Sequence, residues 1–424
     1  MIRAFLLIGA VSAILFFPTY HFALTYCDDA AIVLESAKGA ATGPSYFVKV
    51  FTQPLFPSVN GGAFYRPLSA ASFALNSLLR GTSLAMFRGT NIILHGIAAW
   101  LVFLLLVALG GERRTALILA VFFLVHPVSA ETVAWLTARS ESMLAVFCIA
   151  ACIAFAGFIG TKRPLLYFLH LAFFAMALLT KETAAALIVI LPAYLRLIAG
   201  RRFLSREGRA AYAGWILVVG LWLIARAAAL KSAAPVAAGE MLRALAANAP
   251  EFFSYLGRIF FPFGLSVWPP FEARACLAGA VAAAFIVILL MRGRKGVRMN
   301  RVIFGALWFV LFLAPALARP AGASSEAFFY CRAYLPAVGI LMIVQETGLM
   351  RSIDLSRPLH RGLLAAVFLV VALAALIHAY DYASSGRFWE NARRTAPRAW
   401  REIRPPRSTA PVEHPVHIVF NRSG

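Results

Sequence analysis

The stretch Met86–Leu109, MFRGTNIILHGIAAWLVFLLLVAL, has the length and apolar content of a helix that crosses a lipid bilayer. Similar runs recur from one end of the sequence to the other. Of the 424 residues, 61% are hydrophobic and only 14% are charged, whereas ordinary soluble domains carry about 25% charged residues. The sequence therefore predicts an all-α integral membrane protein that crosses the bilayer many times.

About 11 transmembrane helices follow from the requirement of about 20 apolar residues for each crossing. We place them at residues 4–24, 86–109, 115–132, 141–159, 164–180, 183–199, 211–230, 273–291, 302–318, 333–350 and 362–380. Arg3 precedes the first helix, and a basic cluster follows each of the second, fourth, sixth, eighth and tenth helices. All these clusters are cytoplasmic if the N-terminus is cytoplasmic, and the odd count then places the C-terminus outside. An excess of Arg over Lys and abundant Ala favour a bacterial source, hence the inner membrane.

The formal net charge of +22 does not indicate a nucleic-acid partner, because the basic residues occur in short clusters between apolar runs. Neither a GxGxxG nor a GxxxxGKS/T loop is present, which disfavours a nucleotide-sugar donor and an ATP-driven transporter. Met1–Phe22 has some features of a signal peptide, but it lacks a convincing cleavage site. We interpret it as an uncleaved first helix.

One apolar segment, Glu251–Pro270, does not fit this count of crossings. Arg258, Pro262 and Gly264 interrupt it, and as a full crossing it would place the next basic cluster outside. We therefore predict an interfacial or re-entrant element on the outer face.

The predicted crossings divide the chain into one membrane domain, residues 1–380, and an extracytoplasmic tail, residues 381–424. The first outer loop covers about residues 27–85 and is predicted to form short helices on the membrane surface. After Trp400 the sequence is polar and rich in proline, without helical periodicity.

Two adjacent carboxylates, Asp28 and Asp29, follow the first predicted helix in the stretch TYCDDAA (25–31). Ionisable groups at membrane depth are rare and usually functional. The alternative is that they are solvated helix caps. We favour a function for this pair, because it lies on the outer face with few basic neighbours in sequence.

Six outer-face motifs occur in a fixed order between residues 26 and 340. They are YCDDAAI (26–32), YRPLSAASFALN (65–76), MFRGTNIILHGIAA (86–99), HPVSAETVAWLTARSE (126–141), LLTKE (178–182) and YCRAYLPAVG (330–339). Together they resemble the tetratricopeptide-repeat O-mannosyltransferases of the GT-C superfamily of membrane glycosyltransferases. The resemblance implies a GT-C-like fold.

The sequence departs from the family pattern in three places. Arg88 stands where the family usually has His, and Tyr330-Cys331 replace a Glu-Arg pair ahead of Arg332. The segment SSGRFWENARRTAPRAW (384–400) resembles the one that leads into the repeats, but no 34-residue repeats follow it. We therefore expect a truncated or short family member.

The resemblance implies transfer of a sugar, with mannose as one candidate, from a polyprenyl-phosphate donor to a protein or glycolipid hydroxyl on the outer face. Asp28 or Asp29 would act as general base in a single displacement, because a pair of carboxylates raises one proton affinity. Adjacent residues do not share a helix face, so we expect one to contact the acceptor, with a slight preference for Asp28. The other would cap a turn or bind a divalent metal; no cofactor is otherwise expected.

Outer-face cations would bind the donor phosphate, and membrane lipid would surround the helices. The candidates are Arg66, next to Tyr65, and then Arg139, Lys181 next to Glu182, and Arg332. An Arg side chain matches phosphate geometry. The alternatives are salt bridges or interfacial side chains for the arginines, and a solvated turn for Lys181-Glu182.

Three further groups leave two interpretations open. His126 and Glu131 could hold a metal with an Asp, but their spacing is not helical, and His126-Pro127 is better explained as a helix end. Asn91 and His95 lie on one face of the second helix, where they form interhelical hydrogen bonds or a polar wall of the donor pocket. A Cys27–Cys331 disulfide is possible on topology alone.

Two other functions compete with sugar transfer. A transporter or flippase of a lipid-linked saccharide would show internal repeats and broken helices at mid-membrane, and the sequence shows no such symmetry. An inactive, truncated membrane scaffold would explain the departures near Cys331 and the missing repeats.

Overall fold

The computed structural model describes residues 1–25, 29–55, 64–230, 237–293, 296–318 and 328–397. Within these ranges the regular elements are helices. The first ten are α1 (Ile2–Phe16), α2 (Asp29–Ala41), α3 (Ser45–Lys49), α4 (Pro67–Arg80), α5 (Leu84–Ala108), α6 (Arg113–Val125), α7 (Pro127–Ala134), α8 (Arg139–Thr161), α9 (Pro164–Thr180) and α10 (Leu187–Ala193).

The second half of the chain adds α11 (Arg206–Ala229), α12 (Ala238–Ala247), α13 (Glu251–Phe260), α14 (Ala273–Arg292), α15 (Met299–Leu317), α16 (Tyr334–Glu346), α17 (Gly348–Ser352), α18 (Pro358–Tyr380) and α19 (Ser385–Thr395). Short 3₁₀ turns occupy Phe17–His21, Leu136–Ala138, Glu182–Ala186 and Tyr330–Ala333. A π-helical turn covers Tyr194–Ile198. The all-α membrane architecture predicted from the sequence is confirmed for the described residues.

Seven helical spans in the described part of the chain are long and apolar enough to cross a membrane, or up to eight if a bent pair counts as one span. They are Ile2–His21, Leu84–Ala108, Leu136–Thr161, Arg206–Ala229, Ala273–Arg292, Met299–Leu317 and Pro358–Tyr380. The other predicted crossings are shorter or interrupted helices. The total of about 11 crossings therefore stays a prediction.

Proline explains two of the interruptions, because it lacks the backbone N–H that continues a helix. Pro127 stands at the break between α6 and α7, where the axis bends by 54°. Pro192 lies inside α10, directly before the π-helical turn Tyr194–Ile198. The bend at Pro127 gives α7 a direction different from that of α6.

The segment Glu251–Pro270 contains α13, which has only 10 residues, fewer than the ~20 that a crossing needs. It packs against α14 at very close range. A Cβ atom on Gly257 would lie 2.2 Å from the carbonyl oxygen of Ala275, and one on Gly279 would lie 1.7 Å from that of Phe253. Both positions therefore require glycine, and their contact fixes α13 against the bundle.

The helices α2, α3 and α4 pack on one another and on the bundle. An apolar cluster joins Ile32 and Val33 of α2 with Phe73 of α4 and Phe87 of α5. Ser36 and Ser77 are also hydrogen-bonded, at 3.0 Å. This packing places α2 along α4.

Candidate active site

Asp29 is the first residue of α2 and its side chain is fully buried. One carboxylate oxygen, Oδ2, accepts hydrogen bonds from the backbone N–H of Thr25, at 3.4 Å, and from the Thr25 hydroxyl. The N-terminus of a helix favours negative charge, which suits a buried carboxylate at this position. Asp28 and Cys27 lie outside the described residues. The Cys27–Cys331 disulfide therefore stays a prediction.

The segment before Asp29 is held by Arg88, which the sequence comparison noted only as a departure from the family pattern. Its guanidinium is fully buried and donates hydrogen bonds to the carbonyl oxygens of Phe22 (3.2 Å), Ala23 (2.5 Å) and Ala134 (2.5 Å). It also interacts electrostatically with Asp29. Arg88 therefore connects the N-terminal segment to the end of α7.

Two ion pairs lie at the C-terminal end of α9. Arg66 donates to Glu182 through Nε (3.0 Å to Oε2) and Nη2 (2.6 Å to Oε1). The Lys181 ammonium donates to the Glu141 carboxylate. The alternative of a solvated Lys181-Glu182 turn does not describe the structure, because Lys181 is buried and both residues are paired across the fold. The role of Lys181 and Glu182 in donor binding stays a prediction.

The electrostatics of these pairs follow from burial and pairing. Burial by itself would raise the pKa of Glu182, but the Arg66 charge and its hydrogen bonds lower that pKa to about 2. Burial lowers the pKa of Lys181, and Glu141 acts in the opposite direction. A neighbouring anion thus opposes the desolvation that would otherwise discharge this lysine.

Glu131 and Arg332 meet where α7 packs against the turn Tyr330–Ala333. Glu131 is fully buried, and its Oε2 accepts the backbone N–H of Cys331 at 2.9 Å. Its Oε1 has no hydrogen-bond partner within the described part of the chain. Arg332 and His378 both interact electrostatically with it. His378, whose Nδ1 lies 3.2 Å from Asp381 Oδ2, was not anticipated from the sequence, because α18 carries none of the recognised motifs.

Arg139 lies deeper in the bundle than the other candidate cations. Its guanidinium is fully buried and donates to Asn91 Oδ1 (2.7 Å), Ser72 O (3.2 Å) and Phe87 O (2.8 Å). It also lies 4.1 Å from the centre of the Phe73 ring. With its donors engaged in this way, Arg139 connects α4, α5 and α8, and we leave it out of the phosphate ligands proposed below.

The remaining candidates also make contacts within the protein. His95 accepts the Tyr334 hydroxyl at Nδ1 (2.7 Å) and donates from Nε2 to Leu124 O (2.9 Å). Asn91 donates to Val133 O at 3.3 Å. Asn91 and His95 therefore make bonds between helices. The buried Tyr65 donates its hydroxyl to Phe51 O at 3.0 Å, within the first outer loop.

His126 does not have a free nitrogen for a metal. Its Nε2 donates to Ile259 O at 2.9 Å, and its Nδ1 accepts the Val128 N–H at 3.2 Å, which caps α7. Among the described residues, no group of three or more His, Cys, Asp or Glu side chains could hold a metal ion. A divalent metal at Asp28 and Asp29 stays an expectation, since Asp28 lies outside those residues.

An apolar cavity of about 470 Å³ lies between α6, α13, α16, α17 and α18. Its lining includes Phe122, Ile259, Val344 and Val367, and its polar lining residues are Ser352 and His360. The end at Ile259 adjoins His126, which caps α7. The cavity therefore approaches the helix that carries Glu131.

No protein-family model matches the chain. The protein O-mannosyl-transferase Tmtc1 of Drosophila melanogaster is 29% identical over 193 residues, which are 43% of this chain and 21% of that protein. TMTC3 of Mus musculus is 29% identical over 133 residues, or 31% of this chain and 14% of that protein. The chain resembles the TMTC O-mannosyltransferases.

TMTC1 of Mus musculus adds a match of 32% identity over 130 residues, which are 28% of this chain and 14% of that protein. The matched region thus spans about a fifth or less of these TMTC relatives. A crystal structure of ArnT from Cupriavidus metallidurans bound to undecaprenyl phosphate aligns with 89% of this chain and 75% of that chain, with a TM-score of 0.48 and 13% identity.

Proposed function

We propose that this protein transfers a sugar, mannose being the first candidate, from a polyprenyl-phosphate donor to a hydroxyl group of a protein on the outer face of a bacterial inner membrane. A glycolipid hydroxyl is the second acceptor to test. The activity would reside in residues 1–380, with a cytoplasmic N-terminus, and the tail would follow outside.

The observation that carries this proposal is the collection of ionisable groups at one end of the bundle. The Arg66–Glu182 and Lys181–Glu141 pairs lie where α4 meets the end of α9, since Ser69 of α4 donates to Thr180 O at 3.1 Å. The buried Asp29 begins α2, which packs on α4. A carboxylate that accepts a proton and cations that bind phosphate are the groups that glycosyl transfer from a phosphate donor requires.

In the proposed reaction, one carboxylate of the Asp28–Asp29 pair accepts the proton of the acceptor hydroxyl. The hydroxyl oxygen attacks C1 of the sugar, the C1–O bond to the phosphate breaks, and polyprenyl phosphate leaves with the bonding electrons. This single displacement inverts the configuration at C1. The protein residues hold the base and the phosphate in line, which lowers the entropic part of the barrier.

Arg66, Lys181 and Arg332 are the cations that we propose for the donor phosphate. Two of them are paired with carboxylates, so the phosphate would share or replace Glu182 and Glu141 as their partner. An Arg fork binds phosphate as readily as carboxylate. The apolar cavity beside α18 has a lining suited to the prenyl chain.

The test uses membranes that contain the full chain and a radiolabelled polyprenyl-phosphate sugar. Asp29→Asn and Asp28→Asn are expected to abolish or strongly reduce transfer, while the protein still inserts. Asp354→Asn, at a half-exposed aspartate between α17 and α18, is the matched control and should retain transfer. Full activity in both active-site variants would falsify the assignment of the base.

The flippase alternative gives a different result in the same membranes. A transporter would move lipid-linked sugar between the two leaflets of sealed vesicles without forming a new glycosidic bond. An inactive scaffold would show neither labelled product nor translocation. Mass spectrometry of the glycans that are lost on deletion of the gene would then identify the sugar and the acceptor.

A further inference from the structure

Arg88 is a fully buried arginine on α5 that the proposed mechanism does not use. Taking a guanidinium out of water is costly unless its N–H groups find acceptors. All three of its nitrogens donate: Nε to Phe22 O, Nη1 to Ala134 O and Nη2 to Ala23 O. The acceptors come from two parts of the chain that are far apart in sequence.

The first part is the short segment Phe22–Thr25, between the turn that ends the first span and the start of α2. Besides Arg88, it is held at one end by a hydrogen bond from Ala23 N to Ala383 O at 2.9 Å. At its other end Thr25 donates to the Asp29 carboxylate. The position of this segment therefore helps to determine where the Asp29 carboxylate lies.

The second part is Ala134, the last residue of α7. Three residues earlier, Glu131 accepts the Cys331 N–H. Arg88 thus fixes the segment before the aspartates to the same short helix that contacts the Tyr330–Ala333 turn. A planar guanidinium spreads its donors over three separate nitrogens, whereas the donors of lysine all lie on one nitrogen and cannot span the same three carbonyl positions.

We propose that Arg88 is a positioning residue for the base: it fixes Phe22–Thr25 against the end of α7 and so places Asp29 for catalysis. The inference rests on the proposed transferase function. Arg88 itself contacts neither donor nor acceptor in this account, so its loss should lower kcat far more than it changes KM.

The experiment compares Arg88→Ala and Arg88→Lys with the wild-type full chain in membranes or detergent. Since a misplacement of about 1 Å can cost about 100-fold in rate, we expect kcat to fall about 100-fold in Arg88→Ala, with KM for the labelled donor within about twofold. Arg88→Lys retains the charge and most of the volume, so it guards against misfolding, and its kcat should also fall. Added guanidinium ion should restore part of the kcat of Arg88→Ala.

Hydrogen exchange tests the same inference without any assay of transfer. The amides of Ala23 and Thr25 should exchange at least about tenfold faster in both variants, which corresponds to about 1.4 kcal/mol. Arg298→Lys is the control, because Arg298 also uses three nitrogens, to Glu346 and Gly110 O, among residues other than those that Arg88 contacts. It should leave both this exchange and kcat unchanged.

Unchanged exchange at Ala23 and Thr25 in both Arg88 variants would overturn the inference, as would a kcat within about twofold of wild type. If wild-type protein transfers no sugar while exchange rises as expected, the proposed function fails and the structural role of Arg88 stands. A large rise in KM with normal kcat would instead make Arg88 a substrate ligand and overturn the positioning role.

Discussion

Arg66 and Glu182, 116 residues apart in sequence, form a two-bond ion pair with N···O distances of 3.0 and 2.6 Å. The pair lowers the pKa of Glu182 from 4.5 to about 2 although burial opposes the change. A depressed folded-state pKa means that the pair stabilises the fold above pH 4.5 and that this contribution is lost as pH falls towards about 2. Glu182→Gln should therefore be less stable than wild type at neutral pH, and the difference should shrink in acid.

Thermal unfolding in detergent across this pH range checks the prediction. Glu240→Gln, at an exposed glutamate on α12, is the matched control and should unfold like wild type throughout. If the difference in unfolding temperature between Glu182→Gln and wild type stays constant down to the lowest pH, the ion pair with Arg66 is not the cause of that difference.

The pKa of Glu251 on α13 is shifted in the opposite direction from that of Glu182. It is almost completely buried, and burial raises its pKa from 4.5 to about 7. A carboxyl group whose folded-state pKa is raised stabilises the fold at low pH. That stabilisation is lost as pH rises from 4.5 through about 7. We expect Glu251→Gln to remove this loss, which amounts to roughly 3 kcal/mol between the two limits.

The free energy of unfolding at about pH 4 and about pH 8 provides the measurement, since these values lie on either side of the titration. Wild type should lose stability between them relative to Glu251→Gln. Parallel stability curves for the two proteins would show that Glu251 is solvated and titrates normally.

Gly279 and Gly257 allow α13 and α14 to touch. Gly279→Ala would place a Cβ 1.7 Å from Phe253 O, so the helices must separate. Overpacking of this kind costs about 1–3 kcal/mol, and the unfolding midpoint in detergent should fall accordingly. The control is Gly220→Ala on α11, which has open space around its Cβ position and should be neutral or slightly stabilising. Equal midpoints for the two alanine variants would argue against the close contact.

The apolar cavity provides a matched pair of valines on α18. Val367 lines the cavity and Val370 does not, yet both side chains are 49% exposed. Val367→Trp should fill the cavity and raise KM for a long-chain polyprenyl-phosphate donor about tenfold or more, on the order of 1.4 kcal/mol. Val370→Trp should leave it unchanged. If both variants keep the wild-type KM, the prenyl chain binds elsewhere.

The Thr25 hydroxyl donates to Asp29, so Thr25→Val removes a hydrogen bond to a buried carboxylate without changing the side-chain shape. Such bonds contribute about 1.5–3 kcal/mol, and we expect at least a tenfold loss of transfer, or about 1.4 kcal/mol. Thr19→Val is the control, because the buried Thr19 hydroxyl donates to Phe16 O in the preceding turn. A Thr25→Val enzyme with wild-type rates would show that Asp29 does not need this donor.

The distribution of apolar residues was sufficient to predict the helical membrane architecture. Each predicted crossing overlaps helical segments, although some are interrupted, as the crossing at 115–132 is at Pro127. In Glu251–Pro270, where Arg258, Pro262 and Gly264 predicted an interruption, the helix α13 has only 10 residues. Local sequence suffices there, because lipid offers no hydrogen-bond partners and a long apolar segment must satisfy its backbone internally.

The roles of individual charged residues were not predictable in the same way. Arg139 and Arg66 both lie within recognisable motifs and were both predicted to lie on the outer face. Arg139 is buried among Asn91, Ser72 and Phe87, whereas Arg66 forms two hydrogen bonds with Glu182. Sequence alone could not distinguish them, because each partner lies on another helix.

The sequence by itself determined that this is a helical membrane protein, since the length and apolar content of its segments decide the architecture. Only the tertiary structure decided which ionisable groups are paired inside the bundle and which groups are their partners. The physical reason is that a buried charge must find a partner within hydrogen-bonding distance. For Arg88, those partners are carbonyl groups that carry no signal in the sequence.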